Sequence, residues 1–435
     1  MIPLFVIAVI LVVGLLLRGS ISSLKRRRLL EDLPTSKTAG VFIGFVELKG
    51  TAESESPLVS FLAEKRCVWY SWDVQEHWSR TVTETHTGKD GKTHTRTRTE
   101  SGWTTVASGG DRGLFYLQDD LGAVRINPHK AEIHAQNVFS RTCSEHDPLY
   151  YGKGPASGIM NSTGSRSFTE QAILLHQPLY IVGQSRERSD CVAAEIAYDR
   201  SAPIFMISVS TEESHRNWGL WKFWLLGLLA VLIPSVAGIA MVRHESDPLT
   251  VTGVPAALGG TVLLLWGIGW FWMVYNSLTG LKNRVKMATA NMDVEFKRRF
   301  DLIPQILGVV EGMQKQEREV QETVARLRHQ SGIKAVPNTG ASVVQGCANR
   351  LAVLAESYPE LKSNELFMAL HRNLTETEQR IALARHYYND VIETYNNRRE
   401  RFPENLIVSV AGMPPIPLFL AEDFERAPVD VQFAE

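Results

Sequence analysis

The sequence has few cysteines, and no two of them stand close together. The four are Cys67, Cys143, Cys191 and Cys347. Structural zinc sites use Cys and His ligands a few residues apart, so this spacing argues against a zinc knuckle. Three of the four fall in one predicted domain, so their number permits a disulfide between two of them. The topology described below places that domain in the cytoplasm, and we therefore expect reduced, buried thiols.

The chain also lacks an excess of charge of either sign. Lys and Arg total 46, Asp and Glu total 47, and the formal net charge is −1. A general nucleic-acid binder usually carries a large basic excess, so no nucleic-acid partner is expected. At 435 residues the chain is too long for one compact core, and two or more domains are expected.

No constellation of catalytic or cofactor-binding residues is recognisable. The sequence shows no nucleophile–base pair, no phosphate-binding loop and no metal-binding motif. We therefore predict no catalytic residue, no cofactor and no metal, and we expect a protein that is not an enzyme.

What the sequence does contain is three long apolar segments. The first begins at Ile2 and carries no charge before Arg18. It has neither a basic region before it nor a small-residue cleavage site after it, so we predict an uncleaved transmembrane anchor over residues 1–24. The other two segments predict transmembrane helices over residues 218–243 and 251–277. Buried helices of a soluble protein are the alternative interpretation.

Basic residues beside these segments predict the orientation of the chain. Those that follow the first segment are Arg18, Lys25, Arg26, Arg27 and Arg28. Those that follow the third are Lys282, Arg284 and Lys286, whereas the link between the second and third segments carries only Arg243. This asymmetry predicts a multi-pass protein with its N-terminus outside, a tiny external hairpin and two cytoplasmic domains.

Residues 38–212 show the alternation of an all-β domain. In "CVWYSWDVQEHW" (67–78) one face of a predicted strand carries apolar residues, with Trp69 as the exception on the other face: Val68, Tyr70, Trp72, Val74 and Trp78. Further strands are predicted at "GLFYLQDD", "GAVRINP", "PLYIVGQS", "CVAAEIAYD" and "PIFMISVS". Many short strands with Gly and Pro turns favour a small barrel or sandwich.

A polar, Thr-rich insert, "TVTETHTGKDGKTHTRTRTE" (81–100), predicts a protruding hairpin around Asp90-Gly91. His86 and His94 are near-symmetric about this turn, so we expect them to lie close across the strands. Two histidines without a third ligand do not make a metal site, and a solvated hairpin is the preferred interpretation. A receptor element of a membrane sensor is a further hypothesis.

From residue 276 onwards the periodicity becomes that of a helix. Apolar residues recur at steps of three and four from Leu281 to Met313, and again from Phe367 to Tyr395. With a turn-rich loop and a shorter helix between them, they predict an antiparallel α-helical bundle over residues 276–435. The predicted fold class is therefore an α+β membrane protein with a small all-β domain, a helical bundle and three transmembrane helices.

The third membrane helix is expected to continue into the bundle as one rod, because no Gly-Pro break lies between Val274 and Phe300. Pro304 lacks the N–H of an interior helical residue, and it is expected to bend the rod or to begin a new helix. The apolar, Pro-rich tail "ENLIVSVAGMPPIPLFLAEDF" (404–424) is expected either to pack onto the bundle or to dock into a neighbouring subunit.

Three consecutive basic residues lie in the predicted rod, between Phe296 and Phe300. They are expected to project away from the apolar face, with acidic residues such as Glu295 near enough to pair with them. A solvated, salt-bridged face, a subunit or partner contact and an anion site are the alternatives. Lipid binding is not preferred, because the rod carries the cluster roughly 30 Å beyond the span. The candidate interaction surface is Lys297, Arg298, Arg299, Tyr387, Arg398 and Arg399.

Two parts of the chain resemble known families. The segments "FVELKGTAESESPLVSFLAEKRCVWYSWDVQ", "FYLQDDLGAVRINP", "FTEQAILLHQPLYIVGQSR" and "PIFMISVS", in this order, resemble the GIDE or "beside a membrane" domain of membrane-bound mitochondrial ubiquitin ligases and their bacterial relatives. In those ligases catalysis belongs to a separate RING, which needs eight Cys or His zinc ligands in close pairs. This sequence does not supply them, so the resemblance implies the domain without the ligase activity.

Two segments and the Phe419–Phe424 tail resemble the LemA family: "YNSLTGLKNRVKMATANMDVEFKRRFDLIPQILGVVEG" and "RLAVLAESYPELKSNELFMALHRNLTETEQRIALARHYYNDVIETYNNRRERFPENLIVSVAGMPPIPLF". That resemblance implies an antiparallel helical bundle on a membrane anchor, with no established enzymatic activity. Together the two resemblances imply a scaffold of the bacterial inner (cytoplasmic) membrane. We expect it to contact membrane lipid, to form a homo-oligomer and to hold protein partners at its GIDE-like domain. A ubiquitin-ligase-related protein and a membrane stress sensor are the alternatives.

Overall fold

The computed structural model describes residues 2–87, 93–188, 190, 193–209, 212–242, 248–313 and 365–419. It divides into two compact units, Thr35–Ser214 on the one hand and Met1–Pro34 with His215–Glu435 on the other. We call these the β unit and the helical unit. The predicted turn at Asp90-Gly91, the predicted loop and shorter helix between residues 314 and 364, and Cys191 and Cys347 lie outside the described residues.

The described residues form the following helices and strands, numbered in chain order. The helices are α1 (Ile2–Glu31), α2 (Pro148–Gly152), α3 (Glu212–Val242), α4 (Pro248–Met313), α5 (Glu365–Glu400) and α6 (Glu404–Ala411). The strands are β1 (Thr35–Ser36), β2 (Gly44–Glu53), β3 (Leu58–Val59), β4 (Arg66–Thr87), β5 (Thr93–Arg112), β6 (Phe115–Gln118), β7 (Ala123–Ile126), β8 (Glu132–His134), β9 (Gln136–Ser144), β10 (Ser162–Leu174), β11 (Pro178–Glu187), β12 (Ala194–Ala197) and β13 (Met206–Ser208).

Five strands of the β unit close into a small barrel. β2 pairs with β6, β6 with β7, β7 with β12 and β12 with β11, and β11 returns to β2. The barrel packs around an apolar cluster that includes Leu48, Phe115, Leu117, Ile181 and Ile196, all fully buried. The sequence left barrel and sandwich open, and the closed circuit of strands selects the barrel.

A second sheet is built around the long hairpin of β4 and β5, with the order β3-β4-β10-β9 and β5 on β4. The register pairs His86 directly with His94, as their symmetry about the turn predicts. On β4 the predicted apolar face carries the buried Val68 and Val74. The pairing of β4 with β10 shifts register near Leu174, and Cys67 is buried although it falls on the other face of the predicted alternation.

Three helices of the helical unit are long and apolar enough to cross a membrane, by length and composition: Val6–Glu31, Gly219–Ile239 and Thr252–Leu302. They meet at Ser20 of α1, which is buried. Its hydroxyl donates to the carbonyl of Phe223 on α3 at 2.8 Å and accepts from the indole N–H of Trp266 on α4 at 3.2 Å. Such polar contacts are a common means of joining helices in lipid.

Helix α4 is continuous over 66 residues, from Pro248 to Met313. At about 1.5 Å per residue it is roughly 100 Å long. The predicted continuity between the third apolar segment and the helix that follows it is therefore confirmed. Of the two alternatives for Pro304, the start of a new helix is excluded, because α4 passes through this residue.

Helices α4 and α5 pack against each other in antiparallel orientation. Glu295 pairs with Arg380 and Arg299 with Glu378, so numbers rise along α4 as they fall along α5. The buried apolar residues of this contact include Leu281, Val285, Ala288 and Met292 on α4, and Leu374, Ile381, Val391, Ile392 and Tyr395 on α5. On α4 these residues follow one another at steps of four, three and four, which is the periodicity that predicts this helix.

Candidate functional site

The three consecutive basic residues of α4 do not share one environment. Lys297 and Arg298 are exposed, whereas Arg299 is only 1% exposed. The Nη1 atom of Arg299 lies 3.2 and 3.3 Å from the two carboxylate oxygens of Glu378 on α5. The prediction that all three project away from the packed face is wrong for Arg299. It lies seven residues after the buried Met292 and so falls on the same stripe of the helix.

The acidic residue Glu295 also forms an ion pair with a residue of another helix. The sequence predicts that it pairs with the basic cluster on its own helix. Instead its carboxylate lies 3.3 Å from the Nε atom of Arg380 on α5. Local pairing was expected because residues three and four apart on a helix are neighbours, but the antiparallel partner offers an arginine at the same level. The two ion pairs therefore set the register between α4 and α5.

A larger group of charges lies where α1, α4, α5 and α6 meet. The Nη1 atom of Arg398 donates to both carboxylate oxygens of Asp32, at 2.5 and 2.6 Å, and to the Ser277 hydroxyl at 3.0 Å. Its Nε donates to Glu404 at 2.8 Å. Glu404 in turn accepts from Arg28 at 2.5 Å. We call Arg28, Asp32, Arg398 and Glu404 the ionic junction.

The ionic junction is buried and balanced in charge. It contains two arginines and two carboxylates, and both Asp32 and Glu404 are buried. α4 supplies two further contacts, since Ser277 donates to the carboxylate of Asp32 at 2.8 Å and Arg284 donates to its backbone carbonyl at 2.6 Å. Buried charges are tolerated when each finds a partner of opposite sign and enough hydrogen bonds. The junction therefore fastens the end of α1 to three other helices.

The electrostatics of Arg398 follow from this arrangement. Burial by itself lowers the pKa of its guanidinium, but the carboxylates of Asp32 and Glu404 raise the pKa above its ordinary value. Arg398 therefore keeps its charge throughout the physiological range of pH. A fixed charge of this kind holds structure together and does not exchange protons.

Two asparagines of α5 hold the extended chain that follows α6. Asn396 donates to the carbonyl of Ile416 at 2.8 Å and accepts from its N–H at 3.2 Å. Two turns away, Asn389 makes the same pair of bonds with Phe419, at 3.1 and 2.9 Å. Each amide thus satisfies both backbone groups of one residue, as a neighbouring strand does in a sheet.

Two more side chains of α5 bind the beginning of this segment. Tyr395 donates its hydroxyl to the carbonyl of Pro414 at 3.1 Å, and Arg399 donates from Nε to the carbonyl of Met413 at 3.0 Å. Residues 413–419 therefore pack onto α5 of their own chain, which is one of the two alternatives that the sequence left open for the tail.

The predicted interaction surface is thus divided among several environments. Lys297 and Arg298 are exposed, Arg299 lies between α4 and α5, and Tyr387 is buried. Arg398 belongs to the ionic junction and Arg399 binds the tail. Sequence reasoning missed Asp32, Glu404, Asn389 and Asn396. The one signal for Asp32 was its place directly after the basic end of the first apolar segment.

The β unit has a buried ion pair of its own, between Glu76 on β4 and Arg166 on β10. Two nitrogens of Arg166 lie 3.1 and 3.0 Å from one carboxylate oxygen of Glu76. The guanidinium also donates to the backbone carbonyls of Tyr150, Pro155 and Ser157. The other oxygen of Glu76 accepts from the hydroxyls of Tyr150 and Ser162. The pair therefore clamps the loop between β9 and β10 onto the sheet.

The acid–base properties of the β unit agree with a structural use of its charges. Burial by itself raises the pKa of Glu76, but hydrogen bonds from Ser162 and Arg166 lower the pKa below its ordinary value. Burial, with a smaller contribution from Glu170, raises the pKa of Cys67 to about 11. Cys67 and Cys143 are free and buried, as predicted for the thiols, and a thiol in this state is unreactive. Among the residues that the structure describes, no group of three or more His, Cys, Asp or Glu is placed to hold a metal ion.

Two parts of the chain each match the model of a known family. Residues 288–433 match the model of the LemA family, and residues 83–238 match the GIDE model, which is described as E3 Ubiquitin ligase. A curated relative, Protein LemA of Metamycoplasma hominis, is 24% identical over 171 residues, which cover 38% of this chain and 78% of the relative. A LemA region therefore follows a GIDE region in this chain, as the sequence motifs predict.

Proposed function

We propose that this protein is a membrane-anchored, non-enzymatic scaffold, which self-assembles through its LemA-like helices and carries the GIDE-like β unit at the membrane surface to hold partners. The observation that carries this proposal is the ionic junction. It ties the end of one candidate membrane helix to α4, α5 and α6 through buried charges. A region fixed in this way to its membrane helices is suited to display surfaces in a constant orientation.

The use of the buried charges supports a structural role. Catalytic acids and bases usually stand in a cleft, with a free side towards the substrate. In this protein Glu76 and Arg166 bond to protein groups on every side, and in the helical unit Asp32 accepts hydrogen bonds from Arg398 and Ser277. These charges therefore stabilise the fold, which fits the absence of a catalytic motif in the sequence.

The outer face of α4 offers a surface for self-assembly. Val294 is 65% exposed, and Met287, seven residues before it on the same stripe, is also exposed. The exposed Arg298 lies one turn further along. Apolar residues at a spacing of seven, bordered by a charge, are typical of contacts between helices. We call Met287, Val294 and Arg298 the outer stripe and propose that copies of the chain meet there.

Chemical crosslinking in intact membranes tests the proposal. We expect the wild-type chain to give discrete oligomers, and the Val294→Arg variant to give at least tenfold less of them, because it places a charge within the stripe. The matched control is Val59→Arg, since Val59 has a similar exposure of 59% and belongs to the β unit. A wild-type chain that stays monomeric would contradict the proposal. An equal loss of crosslinked oligomers in both variants would show that the outer stripe is not the contact between copies.

A sensor is the second candidate, and the length of the β4–β5 hairpin favours it. The two strands have 22 and 20 residues, and their pairing continues to Thr87 and Thr93. Replacing residues 80–100 by an Asn-Gly turn keeps the paired Ser79 and Ser101 next to the turn of the shortened hairpin. Assembly that persists, together with a lost response to membrane stress, would favour the sensor. Loss of assembly would instead make the hairpin part of the scaffold.

The ligase description of the matched GIDE model supplies a rival from another class. Zinc analysis of the purified protein separates it from the scaffold, because a RING binds zinc in stoichiometric amount. Zinc at two ions per chain would revive the ligase hypothesis, and a metal-free, fully assembled protein would support the scaffold.

A further inference from the structure

The short helix α6 presents two different sides. Ile407 and Val408 are buried, whereas Leu406 and Val410, one turn apart on the opposite side, are 59% and 79% exposed. Phe402, just before the helix, is 75% exposed. Three large apolar side chains therefore point outward next to one another. We call Phe402, Leu406 and Val410 the outer face of α6.

The buried side of α6 packs at a particular level of the membrane helices. Ile407 and Val408 belong to one apolar cluster with residues of α1, α3 and α4. The other fully buried members are Leu24, Phe223, Met273, Val274, Leu278 and Met413. Leu24 precedes the basic run that begins at Lys25, and Phe223 follows Lys222. On α4 the cluster ends four residues before Lys282. The short helix is therefore located where all three candidate spans change from apolar to charged.

The position of α6 is fixed at both ends. At its start Glu404 is held in the ionic junction by Arg28 and Arg398. After its end the chain turns at Gly412, which has a φ of +61°, and Asn396 of α5 then binds the backbone of Ile416. The helix is thus fastened with its outer face away from the protein.

At the level of this cluster the candidate membrane helices expose aromatic side chains. Within about two turns of the cluster, α3 and α4 expose a belt of aromatic side chains: Trp221, Trp224, Phe271, Trp272 and Tyr275. Tryptophan and tyrosine are enriched where a bilayer meets water. Lys25, exposed at the same level, suits an anionic headgroup. The outer face of α6 therefore lies at the level where the candidate spans carry the residues of a membrane interface.

We infer that α6 is an interfacial membrane helix, whose outer face inserts among lipid acyl chains at the boundary with the headgroups. The occupant of this face is lipid of the same bilayer that the three helices cross. The inference rests on the membrane anchoring in the proposed function and does not depend on self-assembly. It adds a membrane contact to the C-terminal part of the chain, far in sequence from the spans.

Spin labelling of the full chain in nanodiscs of phosphatidylcholine and phosphatidylglycerol tests the inference. Cysteines that replace Leu406 or Val410 carry the label, in a chain whose native cysteines are changed to alanine. Labels at Leu264, exposed in the middle of the apolar part of α4, and at Glu393, exposed on α5, serve as lipid and water references. At positions 406 and 410 we expect relaxation by oxygen to exceed relaxation by a water-soluble nickel chelate, with a depth between those of the references.

Two outcomes would overturn the inference. Nickel access equal to that at Glu393 would place the outer face in water, and exclusion of both reagents would show that protein covers it. A label at Leu264 that is accessible to the nickel chelate would mean that the membrane anchoring itself has failed. Self-assembly is measured separately, by crosslinking. If the cysteine-free chain does not fold, hydroxyl-radical footprinting of the unmodified chain replaces it. Phe402 and Leu406 should then be protected while the exposed Met160 is oxidised, and strong oxidation of both would overturn the inference.

Discussion

The two buried charge networks use the same chemistry over very different distances in the chain. In the β unit Glu76 and Arg166 are 90 residues apart and lie on paired strands, β4 and β10. In the helical unit the ionic junction joins Arg28 to Glu404 and Asp32 to Arg398, over 376 and 366 residues. The first pair clamps a loop onto a sheet that already exists. The second joins the end of α1 to α5 and α6, which lie at the other end of the chain, so it contributes to how the helical unit is assembled.

The largest effect is expected at the pair in the β unit. Arg166→Ala leaves the carboxylate of Glu76 buried without its cation, which should destabilise the unit by about 3–5 kcal/mol. Thermal unfolding of the purified chain measures this as a lower transition temperature. Arg200→Ala, at an exposed arginine of the same unit, is the control and should change little. If the two variants unfold alike, the buried pair does not stabilise the β unit.

A smaller effect is expected at the junction, because Arg28 remains there to neutralise one carboxylate. Arg398→Met should cost about 2–3 kcal/mol, the range for lost hydrogen bonds to charged groups. Hydrogen exchange should accelerate in α6 and at the end of α1, and the β unit should keep its wild-type protection. Lys297→Met, at an exposed position of α4, should leave exchange unchanged. Faster exchange spread evenly over both units would contradict the local role of the junction.

The β unit is expected to lose stability in acid. Burial alone raises the pKa of both Glu76 and Glu195. Hydrogen bonds from Ser162 and Arg166 nevertheless lower the pKa of Glu76 below its ordinary value. Hydrogen bonds from Arg125 and Arg186 do the same for the pKa of Glu195. A carboxyl whose pKa is lowered by folding stabilises the native state fully above its unfolded pKa, which is about 4.3 for Glu. That contribution is lost as the pH falls from about 5 through the lowered values.

The pH profile of unfolding of the β unit checks this sign. Its transition temperature should be steady from pH 7 to about 5 and then fall. Glu76→Gln should be less stable than the wild type at pH 7 and should show a flatter acid limb. A wild-type profile that rises towards low pH would contradict the lowered pKa values.

The smallest effect is expected at the tail. Asn396→Ala removes two hydrogen bonds to the backbone of Ile416, each contributing about 0.5–1.5 kcal/mol. Hydrogen exchange of the backbone amides in residues 413–419 should accelerate. The backbone amides of the residues in the ionic junction should keep their wild-type protection. Asn397→Ala, at the exposed neighbouring position, is the matched control. Tail protection that survives Asn396→Ala would mean that the apolar contacts of the segment are sufficient without the asparagines.

The elements that the sequence predicts well are those with a strong local period. The three apolar segments, the continuity of α4 through Phe300 and the alternation on β4 each depend on residues within a few turns or pleats. They require no knowledge of a distant partner. The barrel was one of two alternatives, since closure depends on the pairing of β2 with β11, which periodicity does not specify.

The features that sequence reasoning missed depend on a partner from elsewhere in the chain. Arg299 is buried because Glu378 of α5 faces it, although its spacing from Met292 was a usable signal. Asp32 and Glu404 become partners of Arg398 only when α1, α5 and α6 meet. A charge beside a membrane segment usually indicates orientation, so its structural use in a buried junction was not foreseen.

The native mass of the full chain in nanodiscs tests the central claim most directly. A scaffold that self-assembles through its LemA-like helices predicts one dominant species at a whole-number multiple of 48.7 kDa, which Val294→Arg shifts towards the single chain while Val59→Arg leaves it unchanged. A wild-type protein found only at the mass of one chain, over a range of protein-to-lipid ratios, would contradict the account.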